Sequence, residues 1–289
     1  MPAVSDRTRG VLLCLLAGVL WSSQGLLLRA IEPVDPWQVN VWRSGLTGCL
    51  ILVGLAVRYR GGVLRAIQGI GRPGVLGAIC FATSNTCFIV ALTLTTVANT
   101  LFMISSEPIL AALLAWLVLR ESVRAATWGA IAGAGTGIAI MVGGADDQGI
   151  AGSLLALLGS FAFASLAVIL RASRTTDMVP VVVVGSGIVA AGSALVLAGD
   201  IWIGSLGFLS CMVMAVTSSV GFVAFFRGAR ELPAAQVMVL AAIEVVLGPL
   251  WVLLVFDEVP TLWTFVGGAI IVLAVMVQAL FAGRARHAP

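Results

Sequence analysis

Lysine is absent from this chain of 289 residues, and histidine occurs once, at His287 in the tail. With one histidine, neither a His/Cys metal site nor a histidine-based catalytic triad can be assembled. Cys14, Cys49, Cys80, Cys87 and Cys211 all fall inside apolar runs with no CxxC pair, so they read as buried thiols and argue against a disulfide framework. Charge is also scarce, at 10% of residues, with a net value of +3 spread along the chain. That is too little and too dispersed for nucleic-acid binding, and too little to cover the surface of a soluble domain of this length.

What fills the chain instead is apolar sequence: 60% of residues are hydrophobic and the mean hydropathy is +1.12. It comes in continuous runs of about 20 residues, the length of a membrane-crossing helix, and lacks the alternating ten-residue pattern of barrel strands. Backbone polar groups in lipid must be satisfied internally, which points to an all-α integral membrane protein. Ten spans are expected, at 11–28, 37–57, 73–93, 96–119 and 125–143, then 150–170, 179–199, 201–226, 233–256 and 261–282. The first run follows Arg7 and Arg9 and has no small-x-small cleavage site, so it reads as an uncleaved span.

Arginine placement orients these spans. Arg7, Arg9, Arg58, Arg60, Arg65, Arg72, Arg120, Arg124, Arg171, Arg174, Arg227, Arg230, Arg284 and Arg286 fall on one side, and Arg29 alone falls on the other, with Glu32, Asp35, Asp146, Asp147, Asp200, Asp257 and Glu258. Fourteen against one is a positive-inside pattern that puts both termini in the cytoplasm.

Residues 95–123, TTVANTLFMISSEPILAALLAWLVLRESV, return 137 positions later as LPAAQVMVLAAIEVVLGPLWVLLVFDEVP without a gap. Glu107 falls on Glu244, Asn99 on Gln236 and Glu121 on Glu258. The repeat divides the chain into halves at 1–145 and 146–289. Each half has five spans, an odd number, so the second enters the membrane inverted relative to the first. Inverted repeats are a device of secondary transporters, with the binding site near the midplane between the halves.

The expected cavity-lining spans are the first, third, fourth, sixth, eighth and ninth, which carry the polar residues. Glu107 lies about 11 residues into its span, about 17 Å deep at 1.5 Å per residue, and intramembrane carboxylates default to functional hypotheses. Each acid could carry a proton, bind a substrate ammonium, or clamp two helices as a neutral group. The residues expected to contact substrate are Trp21, Gln24, Asn85, Asn99, Glu107, Phe163, Ser165, Ser219, Gln236 and Glu244. A bland alternative stands beside them, in which the Ser and Thr hydroxyls simply bond to their own helices. Arg43, inside the second span, could snorkel outward, pair with a glutamate or hold a substrate carboxylate. Pro108 and Pro249 are expected helix breaks. Gly129, Gly133 and Gly137 recur every four residues, a small-residue stripe that marks the fifth span as a packing element or dimer face, with Gly267 and Gly268 its weaker counterpart in the tenth.

The run SSEPILAALLAWLVLRE and its copy AAIEVVLGPLWVLLVFDE resemble the fourth-span signature of the drug/metabolite transporter superfamily, and more narrowly its ten-span exporters with paired EamA-type domains. Glu107, Pro108 and Glu121 match that pattern in the first half, Glu244 and Glu258 in the second, and Val245 stands where a second proline would fall. The resemblance implies export of small metabolites, commonly amino acids and related compounds, across a bacterial inner membrane, without a cofactor. Proton coupling stays open, as does work as a monomer or a homodimer. A multidrug or cationic-compound exporter is the alternative within transport. A membrane-embedded enzyme or structural subunit is the alternative outside it.

Overall fold

The computed structural model describes residues 6–120, 125–145, 147–173, 176–232, 237 and 240–284. Among these every regular element is a helix. Six helical stretches are long and apolar enough to cross a membrane: Thr8–Arg29, Pro36–Tyr59, Gly71–Leu94, Val97–Val118, Gly149–Ala172 and Gly204–Glu231. Four shorter apolar helices accompany them, Trp128–Gly143, Pro180–Val196, Glu244–Phe256 and Leu262–Val277. Large aliphatic side chains such as Val57, Leu117, Leu195 and Leu254 point outward, as lipid-facing positions require.

The first stretch is two helices, α1 (Asp6–Trp21) and α2 (Ser23–Arg29), meeting at a turn where the Ser22 hydroxyl donates to the Val19 carbonyl at 2.7 Å. α3 (Pro36–Tyr59) starts where the Asp35 carboxylate accepts from the Trp37 N–H at 2.8 Å and Pro36 sits in the first turn, which needs no N–H. A short exposed helix, α4 (Val63–Gln68), leads to α5 (Gly71–Leu94). Next come α6 (Val97–Ile104), α7 (Glu107–Leu119) and α8 (Ala125–Gly143). The second half follows with α9 (Asp147–Ala172), α10 (Pro180–Val196), α11 (Gly204–Glu231), α12 (Glu244–Phe256) and α13 (Leu262–Arg284).

Packing between the halves is pairwise. α1 lies along α11 as α5 lies along α9, α3 crosses α11 as α10 crosses α5, and α2 meets α12 as α6 and α7 meet α9. In these three pairings, exchanging each element for its counterpart in the other half returns the same neighbours. α7 and α12 also end alike, on residues 137 apart with left-handed backbones, Arg120 (φ 54°) and Asp257 (φ 54°). α8 and α13 pack on one another away from the centre. A Cβ on Gly137 would fall 2.5 Å from the Gly267 carbonyl oxygen, and one on Gly267 would fall 2.5 Å from that of Gly137. The two backbones therefore touch directly, which only paired glycines allow. Gly129 belongs to the same stripe but faces open space.

Candidate functional site

Two helix interruptions place the acids. Between α6 and α7 the chain turns at Ser105 and Ser106, whose hydroxyls donate to the carbonyls of Phe102 at 2.6 Å and Met103 at 2.7 Å. These bonds occupy carbonyls that the interrupted helix leaves open. Pro108, lacking an N–H, then sits harmlessly in the first turn of α7, and Glu107 is that helix's first residue. In the second half the turn falls at Ala242 and Ile243, in matching register, and Glu244 opens α12. The break therefore recurs without either serine or proline. Pro249 does not make it: contrary to the sequence expectation, that residue lies inside the continuous helix α12, where a proline bends the axis without ending the helix.

Glu107 and Glu244 both line one central cavity. Among the described residues neither carboxyl has a hydrogen-bond or ion-pair partner, so neither clamps two helices in this arrangement. Arg43 reaches the same cavity. It is 3% exposed, and one guanidinium nitrogen donates to Asn85 Oδ1 at 2.9 Å while its Nε has no partner. Asn85 is held in turn by its Nδ2, which donates to the Phe81 carbonyl at 3.1 Å. Arg43 thus neither snorkels nor pairs with a glutamate. Its helix turns a polar stripe inward, Asn40, Arg43, Ser44 and Thr47, all buried. The spacing i, i+3, i+4, i+7 is a signal the sequence carried and that a search for isolated charges passes over.

Trp21 and Phe163 lie together, ring centroids 6.4 Å apart and perpendicular, within a larger aromatic wall. Phe222 lies 5.0 Å and Phe225 5.3 Å from Trp21. Gly221 makes room for the indole, since a Cβ there would fall 2.4 Å from Trp21 Nε1. Gln24 donates from Nε2 to Thr217 Oγ1 at 2.8 Å and to the Met214 carbonyl at 3.2 Å, leaving its buried Oε1 unpartnered in the cavity wall.

Other expected residues lie elsewhere. Asn99 bonds Ser153 Oγ at 2.7 Å and Thr95 Oγ1 at 3.1 Å, joining α6 to α9 outside the cavity lining. The Ser165 hydroxyl donates back to the Phe161 carbonyl at 2.8 Å. Ser219 lines a separate flank groove, and its neighbour Ser218 takes the cavity position. Gln236 lies outside the described residues. The sequence reading missed the apolar contributors Ile104, Ala156 and Gly159, which carry no compositional mark in so apolar a chain.

At one end of the bundle, Arg29 Nε donates to Glu258 Oε2 at 2.7 Å, and the same guanidinium bonds Glu32 and the Thr95 carbonyl. Glu258 Oε1 also accepts from the Val97 N–H at 2.7 Å. This latch ties α2, the start of α6 and the end of α12 together. Among the described residues, no three His, Cys, Asp or Glu side chains gather as a metal site would require.

The sequence profile of the EamA-like transporter family matches residues 8–143 and again 150–280. No curated protein matches at a significant level. Among solved structures, one crystal structure superposes with a TM-score of 0.70 over 96% of this chain and 99% of that one, at 16% identity. That likeness speaks to the fold.

Proposed function

This chain belongs to the EamA-like transporter family, and we propose that it is a secondary exporter of amino acids, aromatic ones included, and of related small metabolites. In this reading the halves 1–145 and 146–289 are inverted five-span repeats in a bacterial inner membrane, both termini are cytoplasmic, and the central cavity opens alternately to each side. The observation that carries the proposal is the coincidence of two unpartnered acids and one unpaired guanidinium edge in a single cavity. An α-amino acid presents the complementary charges. Its ammonium suits Glu107 or Glu244, and its carboxylate suits the Arg43 fork. The wall of Trp21, Phe163 and Phe222 offers ring faces to an aromatic side chain.

Substrate ammonium and protons compete for the same two carboxylates, which links their movements. Each glutamate stands at the first turn of a broken helix, where the helix dipole favours negative charge. In this reading the Arg29–Glu258 pair is the latch that holds one side closed, and its release accompanies the switch. A second reading, export of organic cations, is favoured by the two acids outnumbering the single guanidinium.

Flux of radiolabelled amino acids into liposomes holding the pure protein, with and without a pH gradient, tests the proposal. Glu107→Gln and Glu244→Gln are expected to lower flux at least tenfold or flatten its pH dependence while the protein stays folded. Normal flux at every pH in both variants removes the acids from the mechanism. Equal transport of amino acids and their methyl esters selects the cation reading, and no flux of any candidate defeats transport itself.

A further inference from the structure

A second concavity, about 430 Å³, opens on the flank of the molecule, with α1 and α3 as walls and α11 as floor. Its lining is almost wholly aliphatic, and Leu16, Leu50, Val216 and Val220 are 42–46% exposed, so it is open to whatever surrounds the protein. The charged residues in its lining are Arg58 and Arg227. Both stand at the helix ends that carry the positive-inside arginines. Arg58 lies 3.6 Å from Asp177, which also takes Arg230 at 3.3 Å and the Tyr59 hydroxyl at 2.6 Å. Burial pushes the Asp177 carboxyl up, but Tyr59, the Val179 N–H and the two arginines outweigh it and hold it below the usual carboxylate range. Asp177 is therefore charged at neutral pH. Glu231, one turn beyond Arg227, lies against α1 at Gly10. Arg58, Arg227 and Arg230 against Asp177 and Glu231 leave this rim at 3 − 2 = +1. Arg227, among the described residues, has no ion-pair partner.

The dimensions match one leaflet. From Val216 to Arg227 is eleven residues of helix, about 17 Å at 1.5 Å per residue, and half of a bilayer core is about 15 Å. Midway along the groove Gly54 presents no side chain, and the buried Ser219 hydroxyl has no partner. The hollow distinguishes this flank from a merely convex lipid-facing surface, and the arginines stand at its end. We propose that this groove is a binding site for an anionic phospholipid, with one acyl chain lying along α11 and the phosphate between Arg58 and Arg227. Its assignment to the cytoplasmic leaflet rests on the orientation given under the proposed function; the site itself does not. Guanidinium groups at a membrane surface attract anionic headgroups, each by about 1 kcal/mol.

Native mass spectrometry of the purified full chain, titrated with phosphatidylglycerol or phosphatidylcholine, tests this without any transport assay. The wild-type chain is expected to keep one phosphatidylglycerol at least tenfold more tightly than phosphatidylcholine. Arg227→Gln is expected to abolish that headgroup preference. A Cβ on Gly54 meets nothing within 4 Å, so Gly54→Leu starts its side chain in open space, and it is expected to lose the bound lipid with an unchanged melting profile. Glu107→Gln, in the other cavity, is expected to bind lipid like the wild type, which separates failure here from failure of the exporter reading. Equal retention of both lipids, an unchanged preference in Arg227→Gln, or a dimer that excludes lipid from the groove would each overturn the proposal.

Discussion

Arg43 shows how a single side chain can be visible in the sequence and still be misplaced by it. A guanidinium removed from water costs several kcal/mol unless it is paired, and among the described residues this one has only Asn85 at 2.9 Å as a hydrogen-bond partner and a free Nε. The remaining donors are ready for a carboxylate arriving with the substrate. Arg43→Gln is therefore expected to raise the KM for amino acids at least tenfold, about 1.4 kcal/mol, while transport of amines that lack the carboxylate is unchanged. Kinetics in liposomes read the two substrate classes side by side, and an equal loss for both would reduce Arg43 to a packing residue. Nothing in the residue order rejects snorkelling, because the direction in which a helix faces is set by its neighbours. The buried companions Asn40, Ser44 and Thr47 were the local clue.

At the scale of elements, the broken helices and the glycine seam differ in how much the sequence disclosed. Glu107 and Glu244 were legible as a pair through the 137-residue repeat, but the break beside them was ascribed to prolines. The turn at Ala242–Ile243, with no proline, shows that the break does not depend on one. The small-residue stripe was legible as a packing face, yet its members are unequal. Gly137→Leu drives a side chain into the Gly267 carbonyl 2.5 Å from the Cβ position and is expected to cost about 1–3 kcal/mol. Gly129→Ala, with nothing within 4 Å, is expected to stay within about 0.5 kcal/mol of the parent. Melting temperatures in detergent check both, and equal effects would mean that the α8–α13 contact is not the seam described.

Across the whole molecule, the Arg29–Glu258 latch spans the two halves, joining α2 and the start of α6 to the end of α12. Arg29→Glu places two acids together and is expected to open that end and lower transport at least tenfold. The reversed pair, Arg29→Glu with Glu258→Arg, is expected to recover a substantial part of it. Spin-label distances across the latch, measured with the flux, make the comparison. A double variant no better than the single one would show that charge pairing is not what closes the end. Arg29 was legible as the lone arginine on its side, and Glu258 as the partner of Glu121 in the repeat. Their meeting was not, because 229 residues separate them.

Composition and periodicity alone settled the membrane class, the helical make-up, the repeat and the matched acids, since lipid leaves so few ways to satisfy a backbone and a duplication leaves its spacing behind. Only the tertiary structure decided which side of each helix looks inward. Ser218 and Ser219 are neighbours in the chain, yet a turn of 3.6 residues puts successive side chains about 100° apart. One therefore meets the central cavity and the other the flank groove. The packing of other helices against α11 drew that distinction, and no property of either serine contains it.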